Sequence, residues 1–285
     1  MLAQNKNFNN IKIHTQYSIC EGAVKIDELA DYCKANKIKA IGIADSYNLC
    51  GALEFAEKIS KVGTQPIIGT QINLLYENII GKITLYAISQ KGYKNLTKLS
   101  SLSYLNNKTN NDPHCELRDL ILNNEDLILL TGNYNNFFGK LFYANKIKNI
   151  ETIIDKLKSS FQERIYIEIQ RHAETQEVNF ENFLLKTSAT YDLPLIAGQE
   201  VYYLDSEMAE AHDALICIGE KHFIDDQNRF RYSNQHYMKK SEELEKLYSD
   251  IPEALENNYN FPLRFNFKPK KSKPILPSIS TNKDT

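Results

Sequence analysis

A chain of 285 residues, 42% of them hydrophobic, can bury one large core or two ordinary ones. Its 34 Lys and Arg against 36 Asp and Glu leave a formal charge of −2, which excludes the broad basic face of a nucleic-acid-binding module; contact with DNA is expected to be slight, local or dependent on another chain. Cys20, Cys33, Cys50, Cys115 and Cys217 form no CxxC pair, and no signal-like N-terminus or run near the roughly 20 apolar residues of a membrane span is present, so a cytoplasmic protein with reduced thiols and no membrane partner is expected.

Short β-branched runs alternate with helical patterns. Residues 11–14 read as a strand and 26–36 as a helix with Ile26, Leu29, Ala30 and Cys33 on one face. A buried-type strand follows at 40–44, then a helix over 49–62 that stops before Gly63, and strands at 67–75 and 83–88. The pattern continues with a helix over 93–105, a polar loop over 106–113, a short helix over 117–122 and a strand at 127–131. Helices over 150–161 and 178–191 alternate with strands at 165–170 and 195–197. This repeated alternation favours one parallel α/β sheet or barrel over separate small domains. Beyond Asp205 the pattern is helical, at 207–218 and 241–248, with 250–253 opening a further helix. The domain is expected to span 1–260, with 261–285 as a linker or tail, because the lysine- and proline-rich stretch after Lys268 lacks apolar periodicity.

Sites of barrels and open α/β sheets lie at the carboxyl ends of strands. His14 ends the first predicted strand, Asp45 follows the second, Gln170-Arg171-His172 closes another and Glu200 follows the last. His, Asp and Glu drawn together from separate strands could ligate zinc, manganese or a comparable hydrolytic metal.

Several ordered segments carry a specific resemblance. Ile13-His14-Thr15-Gln16-Tyr17-Ser18, Glu21-Gly22-Ala23, Ile43-Ala44-Asp45-Ser46-Tyr47-Asn48-Leu49-Cys50-Gly51 and Pro66-Ile67-Ile68-Gly69 come first. Gly92-Tyr93-Lys94-Asn95-Leu96, Leu127-Ile128-Leu129-Leu130-Thr131-Gly132, Glu168-Ile169-Gln170-Arg171-His172, Leu193-Pro194-Leu195, Ala211-His212-Asp213-Ala214-Leu215 and Asp250-Ile251-Pro252-Glu253-Ala254-Leu255 follow. In order and spacing they resemble the N-terminal PHP (polymerase and histidinol phosphatase) domain of the bacterial DNA polymerase III alpha subunit. The resemblance implies a distorted β/α barrel with a helical C-terminal extension and, in members that keep the ligands, up to three metal ions at the barrel mouth.

Against that ligand pattern the chain departs at four positions. Lys12 stands at the first position of the His-x-His pair, where an ammonium offers no lone pair and repels a cation. Ser46 stands where a His often follows the Asp, Gln71 replaces an acid, and Tyr202 replaces a His beside the surviving Glu200. His14, Glu21, Asp45, His172 and Glu200 are therefore vestigial metal ligands, with no catalytic residue and no cofactor expected; the alternative is zinc, manganese or magnesium at the residual site.

Each residue also has a plainer reading. His14, His172 and Glu200 can be hydrogen-bonded structure, Asp45 can pair with Lys12, and Glu21 can be an exposed acid at a helix start. His212 reads as a satisfied buried polar group, Cys50 as a packed small residue, and Lys239-Lys240 as solvated surface. The resemblance implies a structural domain in DNA replication, joined to the remainder of the alpha subunit and carrying the proofreading exonuclease subunit. The alternatives are a metal-dependent phosphoesterase or 3′–5′ exonuclease, in which His14, Asp45, His172 and Glu200 converge, and the remnant of a truncated polymerase gene.

Overall fold

The computed structural model describes residues 7–105 and 112–273. Its elements in chain order are β1 (Lys12–Ile13), α1 (Ile26–Ala35), β2 (Ala40–Ser46), α2 (Ala52–Lys61), β3 (Gln65–Tyr76), β4 (Ile79–Ala87) and α3 (Gln90–Leu105). Then come β5 (Cys115–Glu116), α4 (Leu117–Leu122), β6 (Leu127–Leu130), α5 (Phe137–Tyr143), α6 (Ile147–Phe161), β7 (Ile165–Gln170), α7 (Glu177–Tyr191), β8 (Leu195–Gly198) and β9 (Glu200–Val201). Three helices follow, α8 (Ala209–Glu220), α9 (Ser241–Leu247) and α10 (Pro252–Asn260).

The strands run in the order β8-β7-β6-β4-β3-β2-β1-β9, with β5 attached to β3 off this path. Only β4 runs against its two neighbours on that path, β3 and β6. The sheet nearly closes into a barrel because one stretch of chain serves both edges: β8 pairs with β7, and β9, directly after Gln199, pairs with β1. This is the distorted α/β barrel with C-terminal helices that the sequence implies.

Alternation along each strand divides the core into layers. Ile41 and Ile43 of β2 pack outward with Leu29 of α1 and Phe55 of α2. Ala40 and Ala44 on the other face join Ile67, Tyr86, Ile128, Leu130, Tyr166 and Ile196 inside the barrel. Gly69 makes room there, since a Cβ at this position would sit 2.5 Å from the Tyr86 ring. The Tyr86 hydroxyl donates to the carbonyl of Ile11 at 3.0 Å, which satisfies the one polar atom that the ring carries into this apolar floor.

The floor is completed from beyond the expected domain boundary. Phe261 and Phe265 are 1% and 6% exposed and pack edge-on against Tyr86, so the compact fold runs past Asn260 to Phe265 at least. A fully buried Asn258 anchors α10. It receives the amide of Asn9 and donates to the carbonyls of Asn9 and Ala197 at 3.0 Å, tying this helix to the entry of β1 and to β8. Residues 274–285 of the expected tail and 106–111 of the expected polar loop lie outside the described residues. The sequence reading missed α5, whose run of aromatics around Gly139 has little helical period, and the two-residue strands β5 and β9.

Candidate functional site

The inward rows that are apolar at the floor turn polar at the mouth. On β3 the row runs Ile67, Gly69, Gln71, Asn73; on β4, Tyr86, Thr84, Lys82; on β7, Tyr166, Glu168, Gln170. With Lys12, His14, Ser46, Glu200 and Tyr202, these side chains form a charged mouth. It opens into a cleft of about 260 Å³ lined by Glu21, Lys82, Asn133, Lys140, Glu200 and Tyr232.

Lys12 is wholly buried. Its Nζ is 2.5 Å from Glu168 Oε2, and both side chains are fully buried. In the β1–β9 register it also stands directly beside Glu200. Burial pushes the Glu168 carboxyl up and the Lys12 charge opposes that push. Gly198 gives Glu168 its space, because a Cβ there would meet Glu168 Oε1 at 2.3 Å.

Glu200 is the hub. Its Oε1 accepts from His14 Nε2 at 3.0 Å and from Gln71 Nε2 at 2.6 Å, and its Oε2 accepts from Asn133 Nδ2 at 3.0 Å. Burial alone would raise this carboxyl, but the Lys12 charge and the His14 hydrogen bond outweigh it and hold it well below the usual carboxylate range. Gln71, expected as a lost acidic ligand, is thus a donor to the acid that remains.

Of the two readings left open for Asp45, the pairing with Lys12 does not occur. Asp45 follows the inward-facing Ala44, so strand parity aims it away from Lys12 and toward the loop after β1. There its Oδ1 accepts from Thr15 N at 2.6 Å and Ser18 Oγ at 2.7 Å, and its Oδ2 from Thr15 Oγ1 at 2.8 Å. Ser18 links this group to His14, with Nδ1 at 3.2 Å from Ser18 Oγ. Burial raises the Asp45 carboxyl, and the hydroxyls of Ser18 and Thr15 pull against it.

Glu21 is not an exposed helix-start acid. Lys82 Nζ holds both of its oxygens, at 2.6 and 2.8 Å, and also reaches Ser46 Oγ at 3.0 Å; Ser46 in turn donates to Glu21 Oε2 at 2.5 Å. Desolvation acts against both charges, yet each outweighs it for the other: the Glu21 carboxyl is held low and the Lys82 ammonium high.

His172 and His236 stack with centroids 4.0 Å apart behind the hub. The amide of Glu200 donates to His172 Nε2 at 3.2 Å, and His236 Nδ1 lies 3.0 Å from the carbonyl of Glu200. Burial pushes His172 down to about 3, and His236 well below its ordinary value, so this pair is neutral. Tyr202 stacks on His14 at 4.4 Å and on His212 at 5.3 Å, and the hydroxyl of Tyr232 donates to the Tyr202 hydroxyl at 3.3 Å. His212 is the expected satisfied buried histidine, with Nε2 at 2.8 Å from the carbonyl of Glu21.

His14, His172 and Glu200 therefore meet, Asp45 joins them through Ser18, and Glu21 forms a separate cluster with Ser46 and Lys82. Sequence reasoning missed Lys82, Asn133, Glu168 as a site residue, Tyr232 and His236. The signal for Lys82 and Glu168 was a charge set among apolar residues within a strand. Two plainer readings fail in whole or in part: Cys50 is exposed, and of Lys239-Lys240 only Lys240 is surface, since Lys239 is buried, donates to the carbonyl of Gln235, and has its ammonium lowered to about 8 by desolvation. Among the described residues, no group of three or more His, Cys, Asp or Glu side chains is arranged to hold a metal ion. Nor, among them, is any helix long and apolar enough to cross a membrane.

The family model described as PHP domain matches residues 10–172. DNA polymerase III subunit alpha of Caulobacter vibrioides is 34% identical over 289 residues, covering 98% of this chain and 25% of that protein. The Rickettsia conorii protein of the same name is 34% identical over 278 residues, covering 96% and 23%. The chain thus spans about a quarter of the length of these curated relatives. A solved structure described as a metal-dependent phosphoesterase, from Bifidobacterium adolescentis, covers 67% of this chain and 86% of its own at a TM-score of 0.48 and 11% identity. The chain belongs to the PHP domain family and is related to the N-terminal part of DNA polymerase III subunit alpha.

Proposed function

We propose that this chain is a catalytically silent PHP domain of an alpha-type replicative polymerase, which steadies the remainder of that subunit and docks its proofreading exonuclease. The observation that carries the silent reading is the Lys12 ammonium seated against Glu168 and beside Glu200. A divalent ion needs free lone pairs and negative charge around it. Here the carboxylate of Glu200 is shared among three donors, Asp45 is held by Thr15 and Ser18, and Glu21 is neutralised by Lys82. The donor set does not fit a metal.

Docking draws on the exposed apolar side chains beside the mouth. Ile19, Ile218 and Phe223 are 74%, 72% and 81% exposed, and the Ile19-Cys20 loop abuts α8 at Gly219. The experiment has two arms. Purified chain is assayed for metal-dependent hydrolysis of single-stranded DNA, where no turnover is expected, and mixed with the proofreading subunit of its own organism. Turnover abolished by His14→Ala favours the phosphoesterase reading, for which the contact of His14 with Glu200 speaks. Silence together with no association favours the remnant of a truncated gene.

A further inference from the structure

A strongly uneven patch of charge lies at the end of the barrel away from the mouth. At the amino ends of β2 and β3, residues 265–271 run as a strap between α2 and α3. Gln65 pins the strap by donating to the carbonyls of Pro262 and Phe265, both at 3.0 Å, and Lys268 Nζ donates to Ser60 Oγ of α2 at 3.1 Å. Clefts open on both sides of it, and Lys39, Lys61, Lys94, Lys268, Lys270 and Lys271 line them. Among the described residues Glu57 is the only acid in that lining, and it pairs with Lys271 at 3.0 Å. This is a local excess of positive charge in a chain whose acids slightly outnumber its bases. All six lysines are exposed, and among the described residues Lys39, Lys61, Lys94 and Lys270 meet no carboxylate within ion-pair distance. Like charges gathered without counter-ions repel one another, and a polyanion relieves that repulsion.

The cleft on the α3 side, about 670 Å³, adds aromatic surface to the charge. Tyr93 of α3 and Phe267 of the strap both line it, with ring centroids 5.3 Å apart and planes tilted by 37°. Both rings are half-buried, so they are recessed among Lys94, Lys268 and Lys270 instead of projecting as the apolar face of a membrane-surface element does. Ammonium groups that track a backbone and ring faces that accept bases are the two parts of a single-strand site. Lys268 and Lys270 line the clefts on both sides of the strap, so the charge extends past the reach of one phosphate. We propose that this belt binds single-stranded nucleic acid, with the lysines against successive phosphates and with Tyr93 and Phe267 as the surface on which a base stacks. Recognition of this kind is indifferent to base sequence, and it leaves the chemistry of the mouth untouched.

The test uses the full chain and a fluorescent oligothymidylate, with binding read by anisotropy. The dissociation constant is expected to lie on the order of 10 μM at about 50 mM salt and to weaken by roughly 30-fold at about 200 mM, the slope of three or four phosphate contacts. Lys94→Glu combined with Lys270→Glu should weaken binding by at least about tenfold and flatten that slope. Lys148→Glu combined with Lys156→Glu makes the same change of net charge on the exposed face of α6 and should leave binding within about twofold. Phe267→Leu should weaken binding by about fivefold with the salt slope kept, since it removes a ring face and no charge. Thermal midpoints equal to that of the wild type confirm that the charge variants are folded. The proposal is overturned if the oligonucleotide does not bind at the lower salt, or if both charge-reversed pairs weaken it equally. A duplex of the same length that binds more tightly, or Phe267→Leu that binds as the wild type does, overturns the single-strand assignment. Capture by phosphatidylserine vesicles without binding of the oligonucleotide would make the belt a membrane contact instead.

Discussion

Tyr86 and Lys82 lie on the same inward row of β4, one in the floor of the barrel and the other in its mouth. Around Tyr86 the neighbours are interchangeable in kind: Ile67, Ile128, Phe261 and Phe265 contribute area and shape. Around Lys82 they are specific in kind, because Glu21 and Ser46 satisfy its hydrogen bonds and no apolar residue could. The floor is held by additive burial, on the order of 2 kcal/mol per large side chain, whereas each group in the mouth depends on a named partner. Substitutions in the floor change how stable the barrel is; substitutions in the mouth change what the barrel can do.

The sharpest break of this contrast is in the floor. Phe261→Ala should cost about 4 kcal/mol in urea unfolding, nearly independent of salt and pH, because it leaves a cavity against Tyr86 and Tyr166. A loss that depended strongly on pH would mean that the two regions are not separate.

Acid should act on the mouth instead. His172 is held near 3 in the fold against an ordinary 6.5, so between those values the unfolded chain takes up a proton that the native chain refuses. Stability from this group is complete above pH 6.5 and falls as pH is lowered toward 3, by on the order of 3 kcal/mol at pH 4. The depressed Glu200 and Glu21 add to the loss at the acid end, and the raised Glu168 works against it. Urea midpoints from pH 7 to 4 should show the slope in the wild type and a flatter one in His172→Gln; equal slopes would assign the acid sensitivity elsewhere.

A smaller effect is expected from Glu200→Gln, about 2 kcal/mol, since the new amide cannot accept from His14, Gln71 and Asn133 at once. The smallest belongs to neither region: Lys25→Ala removes an exposed pair with Glu28 and should cost roughly 0.3 kcal/mol. That variant sets the baseline against which the other three are read.

How far the sequence could be read follows the same division. The 3.6 and 2.0 periodicities located α1, α3, α6, β3 and β7 because apolar burial writes a local pattern. The direction of β4 left no such mark, since an antiparallel strand alternates as a parallel one does. Partner choice in the mouth was also out of reach. Lys12 and Glu168 meet only because β1 and β7 come to flank the same β8–β9 stretch once the sheet curls, and Asp45 is excluded by a one-residue parity that loop closure fixes. The placement of Phe261 and Phe265 was hidden because a short aromatic pair near a polar, lysine-rich stretch reads like the start of a linker.

The seam between β8 and β9 has a consequence in time as well as in space. The outer edge of β1 is paired only with Glu200 and Val201, so during synthesis that strand waits with one edge open until most of the chain has been made. The Lys12 ammonium waits with it, since Glu168 also arrives late. An early strand that carries a lysine resists pairing with other nascent chains, so the charge that settles the finished mouth also guards the barrel before it can close.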